Sequence, residues 1–223
     1  MKASLDRRLV SEFIGTALLV AAVVGSGIMA EKLSNGNVAL ALLANSIATG
    51  AALVALILTF GTISGAHFNP AVSLADAMEG GLTWAEGGAY IVVQVLGGLS
   101  GTVTAHVMFG LPLISASHHF RSGGAQFAGE FIATFGLLSV IWGCSRSRSA
   151  LVPFAVAAYI AAAYWFTSST SFANPAVTIA RSLSDTFAGI APAGVPAFIV
   201  SQLAGMVVAV GLSRWLWRKR MTA

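Results

Sequence analysis

Apolar residues run through this chain in long, nearly unbroken windows. They do not follow the alternating spacing of a half-buried strand or the one-sided stripe of a surface helix. Six windows approach or exceed the roughly 20 residues that carry a helix across a bilayer. They cover residues 10–30, 38–62, 88–109, 127–144, 151–166 and 197–217. Two shorter segments, residues 70–78 and 175–183, cannot cross, and both begin with Asn-Pro-Ala. Proline suits the first turn of a helix because its missing N–H has no partner there anyway. Each segment therefore reads as a half-helix starting at its proline, preceded by non-helical backbone that must line water or lie inside protein.

The pattern occurs twice. Glu12-Phe13-Ile14 returns as Glu130-Phe131-Ile132, and Thr16 is matched by Thr134. His67-Phe68-Asn69-Pro70-Ala71-Val72 returns as Ser171-Phe172-Ala173-Asn174-Pro175-Ala176-Val177 with one residue inserted. Each copy holds three spanning helices and one half-helix. Because three is odd, the second copy enters from the opposite side, which makes the pair an inverted repeat with the half-helices meeting near the midplane. The expected fold is an all-α membrane protein of six transmembrane helices and two re-entrant half-helices, one channel-like domain over residues 1–223 with repeats at about 1–115 and 120–223.

Composition agrees with a lipid-facing exterior. The chain is 57% hydrophobic and 9% charged, with mean hydropathy +0.83, where a soluble domain is about a quarter charged. Six spans, two half-helices and the connections between them account for the 223 residues, which leaves no spare length for a soluble catalytic domain. The N-terminal apolar segment is too long for the core of a cleaved signal and contains Glu12. A single cysteine, Cys144, excludes an internal disulfide and a Cys-rich metal site. Basic residues sit at helix ends, so they speak to topology rather than to nucleic acid. Lys2, Arg7, Arg8, Arg146, Arg148, Arg214, Arg218, Lys219 and Arg220 fall on one face, and Lys32, Arg121 and Arg181 on the other. The positive-inside bias then places both termini in the cytoplasm; the expected location is a plasma (bacterial inner) membrane.

The half-helices carry the candidate chemistry. Two N-termini meeting at mid-membrane bring unsatisfied N–H groups and positive dipole ends together. Asn69 and Asn174 stand before Pro70-Ala71 and Pro175-Ala176, where each amide can cap its helix and offer N–H to a passing solute. Water or a hydroxyl accepts from both, whereas a desolvated cation is repelled and an anion must cross an apolar passage unsolvated. The arrangement selects small neutral molecules.

Two Asn-Pro-Ala motifs in inverted repeats, with Glu-Phe-Ile in helices 1 and 4, resemble the aquaporin (major intrinsic protein) family along the whole chain. The resemblance implies a right-handed six-helix bundle with one pore per protomer, no cofactor, and assembly as a homotetramer. It also implies a second constriction toward the outside, whose four positions fall on Thr49, Ala162, Ser171 and Val177. Most members carry arginine at the Val177 position and an aromatic at the Thr49 position. Valine and threonine there predict a wide, weakly polar opening that passes glycerol or urea and neutral arsenous and antimonous acids. The stretch from Asn174 to Ser182 followed by Asp185-Thr186-Phe187 resembles the bacterial branch associated with arsenic resistance, and one cysteine is too few to trap trivalent arsenic. A water-selective channel is the alternative within the class, and a proton-coupled or sodium-coupled secondary transporter the alternative outside it.

Glu12 and Glu130 are intramembrane carboxylates, which a coupled transporter also uses; the resemblance implies instead that they brace the half-helix loops by accepting backbone N–H bonds. His67 belongs to the vestibule on the termini side, with pH gating or simple packing as its role, and Phe172, beside the second motif, is a further vestibule or structural residue. His106, His118 and His119 lack metal-ligand spacing, His118 and His119 read as solvated, and no nucleophile–base pair stands out. Gly97, Gly98 and Gly101 allow close helix packing.

Overall fold

The computed structural model describes residues 3–217. Eight α-helices make up the described chain: α1 (Leu5–Leu33), α2 (Val38–Ser64), α3 (Pro70–Met78), α4 (Trp84–Phe109), α5 (Gly124–Ser147), α6 (Val152–Phe166), α7 (Pro175–Arg181) and α8 (Val195–Leu216). Six are long and apolar enough to cross a membrane, α6 together with the short turn that precedes it. The protein is therefore an integral membrane protein. α3 matches the expected half-helix at both ends, while α7 stops at Arg181, two residues before the apolar stretch does.

Local signals set the ends. Asn37 caps α2 by accepting from the Leu40 amide at 3.0 Å. Thr83 and Glu86 form a capping box on α4, each side chain bonding the other's backbone N–H. α1, α4 and α5 outrun their apolar windows, because polar residues continue them beyond the apolar stretch. α1 begins with Leu5-Asp6-Arg7-Arg8, and the Arg8 guanidinium reaches the Glu86 carboxylate at the start of α4.

That ion pair also fixes the topology, since it puts the starts of α1 and α4 on one face. Arg214, near the end of α8, donates to the Glu79 carboxylate and the Met78 carbonyl, each at 2.7 Å, which places the outer end of α3 on the same face. The segment between α4 and α5 lies on the opposite face. There the amides of Ser115 and Ser117 donate at 3.0 Å to the carbonyls of Leu183 and Ser182, just past α7. The half-helices thus enter from opposite sides, as the inverted repeat requires. Of the basic residues assigned to the termini face, Lys2, Arg218, Lys219 and Arg220 lie outside the described residues.

Burial departs from that of a soluble protein at both extremes. Glu12, Gln94, Glu130 and Gln202 are fully buried, while Val10, Ile47, Val92, Val107 and Val200 are exposed on the rim that lipid covers. Glycine permits the closest approaches. A Cβ on Gly97 would stand 2.4 Å from the Phe13 carbonyl oxygen in α1, and one on Gly205 would stand 2.3 Å from the Phe131 carbonyl oxygen in α5. These are equivalent contacts in the two halves, α4 on α1 and α8 on α5, and they rest on small residues.

Candidate functional site

The two segments leading into α3 and α7 are held in a conformation that L-residues adopt reluctantly. Ala66, Phe68, Thr170, Ser171 and Ala173 all have positive φ, between 48° and 62°, at a cost on the order of 1 kcal/mol each. The buried glutamates compensate. Glu12 accepts from the Ser64 hydroxyl at 2.6 Å, the His67 amide at 3.0 Å, the Phe68 amide at 2.7 Å and Gln94 Nε2 at 2.8 Å. Glu130 accepts from the Phe172 amide at 2.8 Å, the Ala173 amide at 2.9 Å and Gln202 Nε2 at 2.6 Å. Each glutamine also donates into its half-helix, Gln94 to Ser73 Oγ and Gln202 to Thr178 Oγ1, both at 2.9 Å. A carboxylate whose lone pairs are taken by fixed donors braces a loop, and these two do so on matched sets of partners.

With the loops fixed, the asparagines meet. Asn69 Oδ1 accepts from the Ala71 amide at 2.9 Å, and Asn174 Oδ1 accepts from the amides of Ala176 and Val177 at 3.0 and 3.2 Å. Asn69 Nδ2 donates to the Ala173 carbonyl at 2.7 Å, and Asn174 Nδ2 donates to the Phe68 carbonyl at 2.8 Å. Each amide therefore caps its own half-helix and pins the loop of the other. A carboxamide has two N–H donors, so one per asparagine remains. Both residues line a central cavity of about 360 Å³.

The expected filter positions do not all lie on the cavity wall. Thr49, Ser171 and Val177 line it, as do His67 and Phe172. Ala162 does not: it is exposed on the far side of α6, and Ile160 and Tyr164 of that helix line the cavity instead. Their spacing along the helix turns a different face inward than counting back from Asn174 suggests. The Tyr164 hydroxyl pairs with Thr49 Oγ1 at 3.1 Å. An aromatic ring is thus present at this level after all, contributed by α6 rather than α2.

Fixed charge is also present. Arg181, at the end of α7, lines the cavity, and its guanidinium carbon lies 3.4 Å from the centroid of the Phe172 ring. The wall is accordingly less stripped of bulk and charge than Val177 and Thr49 imply. Sequence reasoning used Arg181 only for topology; a lone basic residue one helical turn beyond Val177 in an apolar half-helix is the signal that points inward.

The remaining candidates fall elsewhere. His67 is half-buried, with Nδ1 3.1 Å from Ser73 Oγ and its ring against Tyr90. Cys144 is a free, partly buried thiol of α5. His118 is exposed, as expected, but paired, its Nδ1 lying 2.9 Å from Asp185 Oδ2 while its amide donates to Oδ1 at 2.8 Å. Those two bonds hold the Asp185 carboxyl below its ordinary pKa. Among the described residues no group of His, Cys, Asp and Glu is arranged to hold a metal.

Known proteins place this geometry. The family model described as major intrinsic protein matches residues 1–153. Aquaglyceroporin AqpS of Rhizobium meliloti (strain 1021) is 54% identical over 212 residues, covering 95% of this chain and 91% of that protein. Aquaporin NIP3-1 of Oryza sativa subsp. japonica is 34% identical over 149 residues, 62% of this chain and 44% of that one. The X-ray structure of the aquaglyceroporin from Plasmodium falciparum matches with a TM-score of 0.72 over 96% of this chain and 98% of that one, at 21% identity, a likeness of fold. On the family match and the identity that runs along nearly its whole length, this chain belongs to the major intrinsic protein family, whose members are channels and not enzymes.

Proposed function

We propose that the chain is a passive channel for small uncharged solutes that carry oxygen lone pairs: polyols such as glycerol, neutral metalloid acids such as arsenite and antimonite, and water. The observation that carries the reading is the crossed pair Asn69 and Asn174, each with a donor left for the cavity after capping one half-helix and pinning the other. A hydroxyl accepts those donors without losing its own hydrogen. A cation gives up hydration and meets donors and positive helix ends. An anion finds the donors but must cross a wall rich in Leu19, Val23, Leu53, Leu137 and Val156.

The outer constriction is formed by Thr49, Tyr164, Ser171 and Val177. Threonine and valine widen it, and the Tyr164 ring takes back part of that width, so the balance between glycerol and water is set at these side chains. The name of the relative from Rhizobium meliloti, an aquaglyceroporin, supports the polyol side. The channel works as a homotetramer in a plasma membrane, with both termini cytoplasmic and solute moving down its gradient in either direction.

Stopped-flow light scattering on proteoliposomes tests this. A channel gives water, glycerol and arsenite fluxes that rise linearly with gradient, with low activation energy and no response to sodium or proton gradients. Saturating flux coupled to an ion gradient would instead identify a secondary transporter; water flux alone would identify a water-selective pore.

A further inference from the structure

Arg181 is only 2% exposed, and its sole hydrogen bond among the described residues runs from Nε to the Ala188 carbonyl. It makes no ion pair there. Guanidinium has five N–H donors, so both Nη groups are left over at the cavity wall. Arg121 approaches the same Phe172 ring, with its guanidinium carbon 5.2 Å from the centroid. Its donors, however, are engaged with the carbonyls of Gly189 and Ser169 and with Thr170 Oγ1. The two arginines therefore differ: one ties loops together and the other is held open.

A second unpaired group stands on the same wall. Ser171 is buried, its Oγ has no hydrogen-bond partner among the described residues, and it lines the cavity. Burying a cation without a counter-charge is costly, and stacking on the Phe172 face recovers only part of that cost. Idle donors on one wall of a conduit find their acceptor in what passes through it.

We propose that Arg181, assisted by Ser171, is the specificity-determining residue at the mouth opposite the termini: it donates to the oxygens of passing solutes and repels cations. This rests on the neutral-solute reading and deepens it. The favoured class is molecules with two or more hydroxyls close enough to meet a planar pair of N–H groups, as in a polyol or an oxyacid in its uncharged form. It also moves the barrier against cations from the half-helix ends alone to a fixed charge one helical turn beyond Val177.

The test compares full-length wild-type, R181M and R181K channels in vesicles, reading water and glycerol permeability by light scattering and cation leak with a trapped pH dye. R181M is expected to raise proton and sodium leak roughly tenfold, the effect of one charge removed from about 10 Å at an effective dielectric of about 20. It is also expected to lower the glycerol-to-water ratio severalfold. R181K keeps the charge and loses the planar donors, so it retains cation exclusion but not the solute ratio. A folded R181M with wild-type leak and wild-type ratio overturns the proposal. Should R181M fail to assemble, R181K decides, because an unchanged glycerol-to-water ratio there overturns it equally. Wild-type vesicles that pass neither water nor glycerol overturn the channel reading itself, and this proposal with it.

Discussion

Asn69 and Asn174 are bound to each other's loops rather than to each other, each donating from Nδ2 to a carbonyl of the opposite segment at 2.7 and 2.8 Å. The two half-helices are thereby tied end to end through each other's loops, and both asparagines line the central cavity.

Replacing Asn69 by alanine removes a helix cap, worth about 1 kcal/mol, and leaves the buried Ala173 carbonyl without its donor, about 1–3 kcal/mol more. N69A and N174A are each expected to lower stability by about 2–4 kcal/mol, read as thermal unfolding in detergent. A loss well under 1 kcal/mol in both would mean that the crossed bonds are not formed.

Glu130→Gln substitutes an N–H₂ group for an oxygen that faces the amides of Phe172 and Ala173 or Gln202 Nε2. A donor set against donors forfeits charge-assisted bonds of about 1.5–3 kcal/mol each. It also releases residues whose positive φ depends on them. The expected result is a loss of about 3 kcal/mol and reduced flux, with E12Q giving a matching effect in the other half. Wild-type stability in both variants would return these carboxylates to the role of coupling groups.

The fold was legible because membrane helices announce themselves by length and hydrophobicity, and Asn-Pro-Ala marks a helix start through proline and its cap. The bracing of the loops was legible only in outline. Glu12 and Glu130 stood out as charges in apolar windows, but Gln94 and Gln202, uncharged and distant in sequence, gave no such signal. The lining of the cavity was half legible. Thr49, Ser171 and Val177 reach the cavity, whereas α6 carries apolar residues on every face, so nothing in its pattern distinguishes the exposed Ala162 from the inward Tyr164. Arg181 was hidden by its own utility as a topology marker, because a basic residue near a helix end explains itself too readily.

Gly97 and Gly205 test the repeat through packing. Adding a methyl at either forces it to within 2.4 Å of a backbone carbonyl oxygen, and overpacking of this kind costs about 1–3 kcal/mol. G97A and G205A are therefore expected to destabilise despite alanine's better helix propensity. Gly88, with nothing within 4 Å of its would-be Cβ, is the control: G88A is expected to gain up to about 1 kcal/mol. Chemical or thermal unfolding of the three variants separates the two outcomes.

The pin between the loops on the face opposite the termini carries a pH signature. The Asp185 carboxyl is held below its ordinary pKa by the His118 amide and ring. A carboxylate with a lowered pKa stabilises the fold above its unfolded pKa, and that contribution disappears as pH falls through the folded value. Hydrogen exchange at the His118 amide is therefore expected to stay protected, after correction for intrinsic rate, from neutral pH down through the ordinary carboxylate range, and to lose protection only below it. D185N is expected to lose the carboxylate's share of that protection at neutral pH; loss of protection in the wild type near pH 6 would contradict the assignment.

The most direct test of the conduit between opposed half-helices is sided labelling in a C144S background. His67→Cys and Val177→Cys are each treated with a membrane-impermeant thiol reagent from one side of the bilayer at a time while glycerol flux is recorded. The account predicts that the cysteine at 67 reacts only from the termini side and the cysteine at 177 only from the opposite side, and that either modification blocks flux. Reaction of both from the same side, or full flux through the doubly labelled channel, would contradict it.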